Sequence, residues 1–174
     1  PDMVGNIKFS SGGFPARYAD KMSSALDITY REPEAFEGSV GLSLMGGSLA
    51  LGQNSGKFSQ LHGLRYKKNN SLLSSLDTKG EYDPSYLDYQ TNITLKPNDR
   101  WSVNFLGNIA VNHYNFKPAD RETSFGTSED TKHFRVYFDG EEKDKFETYL
   151  GSLSVNYRRN RATAFSLGLS GFLT

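Results

Sequence analysis

The chain has no cysteine, which excludes a disulfide scaffold and a thiolate metal site. It has no net charge, with 20 Lys and Arg against 20 Asp and Glu. That balance removes the basic footprint expected of a nucleic-acid binder. No apolar run approaches the roughly 20 residues of a transmembrane helix. No segment keeps helical apolar spacing over three turns, and no fixed-period repeat runs through the chain. Histidines are few and scattered: His62, His113 and His133 have no helix to bring two together, so each reads as an ordinary polar residue. Gly-Xaa-Ser-Xaa-Gly and phosphate-loop patterns are absent. The acids between residues 77 and 83 lack calcium-loop spacing. Nothing supports a nucleophile, a catalytic base, a cofactor or a metal centre. The expectation is no enzyme.

What is present is aromatic and alternating. Ten Tyr and twelve Phe favour strands, and 17 Gly suit turns and bulges. From residue 36 onward a period-2 rhythm dominates. Phe36, Val40, Leu42 and Leu44 share one face. Phe58, Leu64 and Tyr66 mark a second strand, residues 71–76 a third, and Tyr89, Thr91, Ile93 and Leu95 a fourth. Trp101, Val103, Phe105, Gly107, Ile109 and Val111 form the clearest face, opposite Ser102, Asn104, Asn108 and Asn112. Tyr149, Leu153, Val155 and Tyr157 come next, then Thr163, Phe165, Leu167, Leu169 and Leu173. The pattern predicts an all-β antiparallel meander of about seven strands, with sequential strands paired.

Connection lengths also alternate. Residues 67–70, 96–100 and 158–161 are short and basic. The longer links are acid-rich, above all residues 116–145. Short turns on one side and long loops on the other suit a transmembrane barrel. The expectation is that the three short turns lie at one end. Tyr66, Trp101 and Tyr157 would then sit beside them at one level, as membrane-interface aromatics. Residues 120–144 lack apolar alternation and are expected to be mobile and extracellular, with room for one short strand over 134–138. The polar faces are Ser, Thr, Asn and Gln rather than Lys and Glu, which suits a hydrated lumen. Residues 101–111 match the roughly 9–11 residues that cross a bilayer. The alternative is a soluble antiparallel β-sandwich acting as a binding module, with its aromatic content suited to carbohydrate.

Residues 11–28 carry the sharpest motif: Ser11-Gly12-Gly13-Phe14-Pro15-Ala16-Arg17-Tyr18-Ala19-Asp20-Lys21-Met22-Ser23-Ser24-Ala25-Leu26-Asp27-Ile28. This resembles the end of the plug domain of TonB-dependent outer-membrane receptors. There Gly-Gly-Phe-Pro-Ala-(Arg/Glu)-Tyr-Gly precedes a Ser-rich turn, a strand with Asp-Ile and the first barrel strand. The family usually has Gly where this chain has Ala19. Residues 136–149 are similar to a loop-to-strand passage of carboxypeptidase-regulatory-like members of that family.

The resemblance implies residues 1–34 as the C-terminal part of a plug domain and 35–174 as the first strands of a large barrel. Gly12, Gly13, Phe14, Pro15, Ala16, Arg17 and Tyr18 would be its structural motif. It implies a Gram-negative outer-membrane location. It also implies three partners: membrane lipids, a nutrient (glycan, siderophore or peptide), and the TonB energy-coupling complex, reached through an upstream segment. The alternating strand that runs to the last residues, with no closing turn, leads to the expectation of a fragment. About seven strands fall short of the 22 of such a receptor, so the fragment is expected to leave two open edges and to self-associate.

Overall fold

A computed structural model describes residues 3–13, 18, 23–68, 80–127 and 131–174; of residues 80 and 81 only the backbone is described. Of the described residues 76% are in strands, and no helix occurs among them. Twelve strands run in the order β1 (Val4–Ser10), β2 (Ala25–Tyr30), β3 (Glu37–Ser43), β4 (Gly46–Asn54), β5 (Phe58–Lys68), β6 (Gly80–Tyr82), β7 (Ser85–Asn98), β8 (Trp101–Pro118), β9 (Arg121–Gly126), β10 (Thr131–Val136), β11 (Glu142–Arg158) and β12 (Ala164–Leu173). All pairings are antiparallel.

The main sheet follows the order β12-β11-β8-β7-β5-β4-β3, with short β6 pairing β8. Its long strands form a meander, as the alternation predicts. Two small sheets stand apart: β1–β2 at the N-terminus, and β9–β10 between β8 and β11. The expected break at residue 34 falls between β2 and β3.

The strand count conceals a correction. Gly46–Asn54 is a full strand that the sequence pattern does not reveal, because four of its nine residues, Gly46, Gly47, Ala50 and Gly52, have no side chain beyond a methyl. Residues 71–76 lie outside the described residues. β5 pairs directly with β7, so it runs opposite to the direction that a strand over 71–76 between them would give it. The near end therefore holds the turns 55–57, 99–100 and 159–163. Lys67 and Lys68, which end β5, lie at the far end: the Lys68 N–H donates to the Met45 carbonyl at 2.7 Å. The far end also has a two-residue turn, Leu44-Met45, so short turns are not confined to one rim. That turn needs Gly46 at φ 144°, where a Cβ would collide with the Tyr66 carbonyl.

A second correction concerns residues 120–144. Strands β8 and β11 run 18 and 17 residues, far beyond their apolar parts. β9 and β10 form a hairpin of their own. Cross-strand charge pairing substitutes for apolar alternation in the hairpin, where Arg135 Nε donates to Glu122 at 2.7 Å; Lys145 pairs with Glu147 along β11 itself.

Register makes the two faces of the main sheet unequal. Val40, Leu49, Leu64, Tyr89, Ile109, Tyr149 and Leu173 form one continuous row across seven strands. The neighbouring row on the opposite face is Ser39, Ala50, Gly63, Gln90, Asn108, Leu150 and Phe172.

Candidate functional site

The polar face is where the chain buries something. Met3 lies over Gly63, whose absent Cβ would stand 2.5 Å from the Met3 sulfur. Pro33 is fully buried and sits over Gly52. Met3, Ala50 and Leu61 are the buried hydrophobic residues, and the two from the sheet both belong to this face. Polar contacts tie the same junction. Gln90 Nε2 donates to the Tyr30 hydroxyl at 2.6 Å. Asn54 Nδ2 donates to the Pro33 carbonyl at 2.8 Å. Lys96 pairs with Glu32 at 2.7 Å, and Arg31 pairs with Glu37. Burial holds the Tyr30 phenol above its usual range. Further along the face, Asn104 Nδ2 donates to Asn92 Oδ1 at 2.6 Å and to Thr94 Oγ1 at 2.8 Å.

The opposite face is apolar and uncovered. Leu44 is 100% exposed, Leu42 87% and Val40 72%. Total accessible surface is 13180 Å², against about 8,500 Å² for a compact monomer of 19.4 kDa. On β8 the apolar band covers residues 101–111, and His113, Asn115 and Lys117 continue the same face beyond it. On β11 it covers 149–157, and Glu147, Lys145 and Lys143 follow.

One polar island interrupts this face. His62 Nδ1 lies 2.9 Å from the Tyr89 hydroxyl and 3.0 Å from Thr91 Oγ1. Its ring stacks on Tyr89 with centroids 6.2 Å apart. His62 Nε2 lies 3.3 Å from Gln60 Oε1, and Gln60 Nε2 donates to Gln53 at 2.9 Å. These groups satisfy one another, which is the condition for holding polar atoms on an apolar surface.

Of the expected interface aromatics, Trp101 and Tyr157 are brought together, with ring centroids 4.7 Å apart. Phe165, unassigned by sequence, completes the cluster by stacking on Tyr157 at 6.4 Å. Trp101 is 44% exposed rather than enclosed in a core. Tyr66 does not join them. It pairs with Leu87, and Leu87 with Val111, ten residues from Trp101, or about 34 Å along a strand. The cause is the direct pairing of β5 with β7, where the sequence pattern places another strand between them. Within the 11–28 motif, Gly13 has φ 63°, which favours glycine. Tyr18 donates to Asp27 at 2.5 Å, and Gly12 is open to solvent on its Cβ side. Phe14, Pro15, Ala16, Arg17 and Ala19 lie outside the described residues.

On the β9–β10 hairpin a histidine gathers a hydroxyl and a carboxylate. Ser124 Oγ and Glu122 Oε1 both approach His133, at 2.9 and 3.0 Å, on an exposed hairpin. Both meet the same nitrogen, Nδ1, whereas a proton relay needs the hydroxyl and the carboxylate on opposite ring nitrogens. Arg135 holds the Glu122 carboxyl below its ordinary range through a hydrogen bond, with His133 adding to the effect. The group is a surface ion cluster. Among the described residues no set of three His, Asp or Glu could hold a metal ion, and no helix is long and apolar enough to cross a membrane.

Comparison with protein-family models, with curated proteins and with solved structures finds no match.

Proposed function

We propose that this chain is the end of a plug domain and the first strands of an outer-membrane barrel. The whole would be a TonB-dependent receptor that binds a scarce nutrient and imports it. The observation that carries the reading is which face the N-terminal unit covers. Met3, Tyr30, Glu32 and Pro33 pack on the polar face, while the apolar face stays open over the whole sheet. A soluble sandwich would do the reverse, since the hydrophobic effect places a covering layer on apolar surface. In a barrel the polar face lines the lumen, where a plug belongs, and lipid covers the rest.

Dimensions support the same reading. Ten residue steps at about 3.4 Å, tilted about 45°, give a band about 25 Å tall. Aromatic residues flank it at both rims: Trp101, Tyr157 and Phe165 at the near end, and Tyr66 at the far end. The charged extensions of β8 and β11 with the β9–β10 hairpin would reach outward from the cell. Open edges at β3 and β12 are where further strands would add. Nutrient binding, energy coupling and non-enzymatic action belong to this proposal through the 11–28 motif.

The test is topology in a Gram-negative host. The chain within its native polypeptide should fractionate with the outer membrane. An epitope inserted after Gly126 should be labelled on intact cells, and one inserted after Arg100 should not. Recovery in the soluble fraction, or outside labelling at Arg100, would overturn the reading.

A further inference from the structure

The near rim of the sheet carries cations without acidic partners. Lys57, Arg100, Arg159 and Arg161 sit in the three hairpin turns, and Arg158 ends β11. None of the five forms an ion pair among the described residues. Several cations elsewhere are matched: Lys68 with Asp83, Arg65 with Asp88, Lys143 with Glu141, Arg135 with Glu122. Lys96, just inside the near rim, is matched with Glu32. Asp99 is the sole acid in the near turns.

Backbone bonds fix the spacing of this rim. The Lys96 N–H donates to the Lys57 carbonyl at 2.7 Å, and the Arg158 N–H to the Arg100 carbonyl at 2.8 Å. Successive hairpins stand two strands apart, so the turns repeat about every 10 Å. The aromatic cluster Trp101, Tyr157 and Phe165 lies on the apolar face just inside the cations.

We propose that this rim is a binding site for anionic phospholipid headgroups. The turn cations take the lipid phosphate, and the aromatic cluster packs the glycerol region beneath it. Aromatic rings favour that level, because one end is apolar and the other wet. Long Lys and Arg side chains reach a headgroup plane from turns on either side of a strand. Polybasic clusters at a bilayer surface draw anionic lipid with about fivefold in affinity per charge. The proposal rests on the membrane reading above.

The experiment uses the full chain in nanodiscs and counts retained lipid by native mass spectrometry. Discs contain phosphatidylglycerol or phosphatidylcholine, and free glycerol phosphate is the competitor. The expected result is selective, salt-sensitive retention of phosphatidylglycerol. Combined Lys57→Gln, Arg100→Gln, Arg159→Gln and Arg161→Gln should lower retention at least tenfold. Lys67→Gln with Lys68→Gln at the far end should leave it unchanged. Arg→Lys replacement at the three rim arginines should preserve retention, which separates charge from folding. Equal retention of the two lipids, an unchanged quadruple variant, or equal displacement by glycerol phosphate would overturn the proposal. A chain that never enters discs overturns the membrane reading with it. Insertion without lipid preference overturns this inference alone.

Discussion

The two faces of the main sheet receive opposite treatment from the same chain. On the polar face a hairpin is brought in from the N-terminus, glycines at 52 and 63 make room for it, and side-chain hydrogen bonds hold it there. On the apolar face Val40, Leu42, Phe105, Ile109, Phe165 and Leu167 stay exposed in continuous rows. A chain folding for water would bury the second face first, since apolar area removed from water stabilises by about 25 cal/mol per Å². The comparison teaches that covering is set by what each face must meet. On the proposed reading, one meets polypeptide and water, and the other an apolar surrounding supplied from outside.

The largest break in that comparison comes from placing a charge at mid-band. Ile109→Arg should cost about 2–4 kcal/mol of folding stability in lipid vesicles. Asn108→Arg, one residue away on the polar face, should cost far less. Equilibrium unfolding in urea reads both. Equal effects would remove the difference between the faces.

Filling the polar-face seat is next in size. Gly63→Leu forces the side chain into the place of Met3, at a cost of about 1–3 kcal/mol. The main sheet should persist while the β1–β2 unit loses amide-exchange protection. Loss of protection across β7 and β8 as well would show that the hairpin is integral to the sheet rather than seated on it.

The third prediction sharpens the difference between the two rims. A double-mutant cycle on Trp101 and Tyr157 should give a coupling of about 0.5–1.5 kcal/mol for the ring pair. The cycle on Trp101 and Tyr66 should give none, because these residues sit at opposite ends. Coupling between Trp101 and Tyr66 would contradict the β5–β7–β8 register.

The smallest effect is a pH response outside the band. The Glu122 carboxyl is held below its ordinary range, first by its hydrogen bond to Arg135. Its stabilising contribution is therefore fully present above the ordinary carboxylate range and is lost as pH falls through the lowered value. The β9–β10 hairpin should loosen at acid pH, seen as faster proteolysis at Lys132 and Arg135 by an acid-tolerant protease. Glu122→Gln should abolish that pH dependence.

Legibility in the sequence follows side-chain size. The face from Trp101 to Val111 could be read because large apolar residues alternate with Ser and Asn over its whole length. β4 could not, since glycines and alanine leave its period-2 signal to Leu49 and Leu51 alone. Tyr66 and Lys67 fall at the far rim for a different reason: the pattern puts a strand over 71–76 between β5 and β7, whereas those two pair directly, and one miscounted strand inverts what precedes it. β9 and β10 were missed for another reason: their cohesion is charge pairing across strands, which appears only once register is known. The seating of Met3 on Gly63 joins residues 60 apart and left no local trace. The Gly12-Gly13 turn was legible because a positive φ at Gly13 selects glycine.

The most direct test of the account uses the absence of cysteine. Single cysteines placed in turn at residues 103–110 of β8, spin-labelled in lipid vesicles, report collision with oxygen or with a water-soluble nickel complex. The account predicts strict alternation: high oxygen and low nickel accessibility at 103, 105, 107 and 109, and the reverse at 104, 106, 108 and 110. Accessibility to nickel at every position, or alternation with the opposite phase, would contradict it.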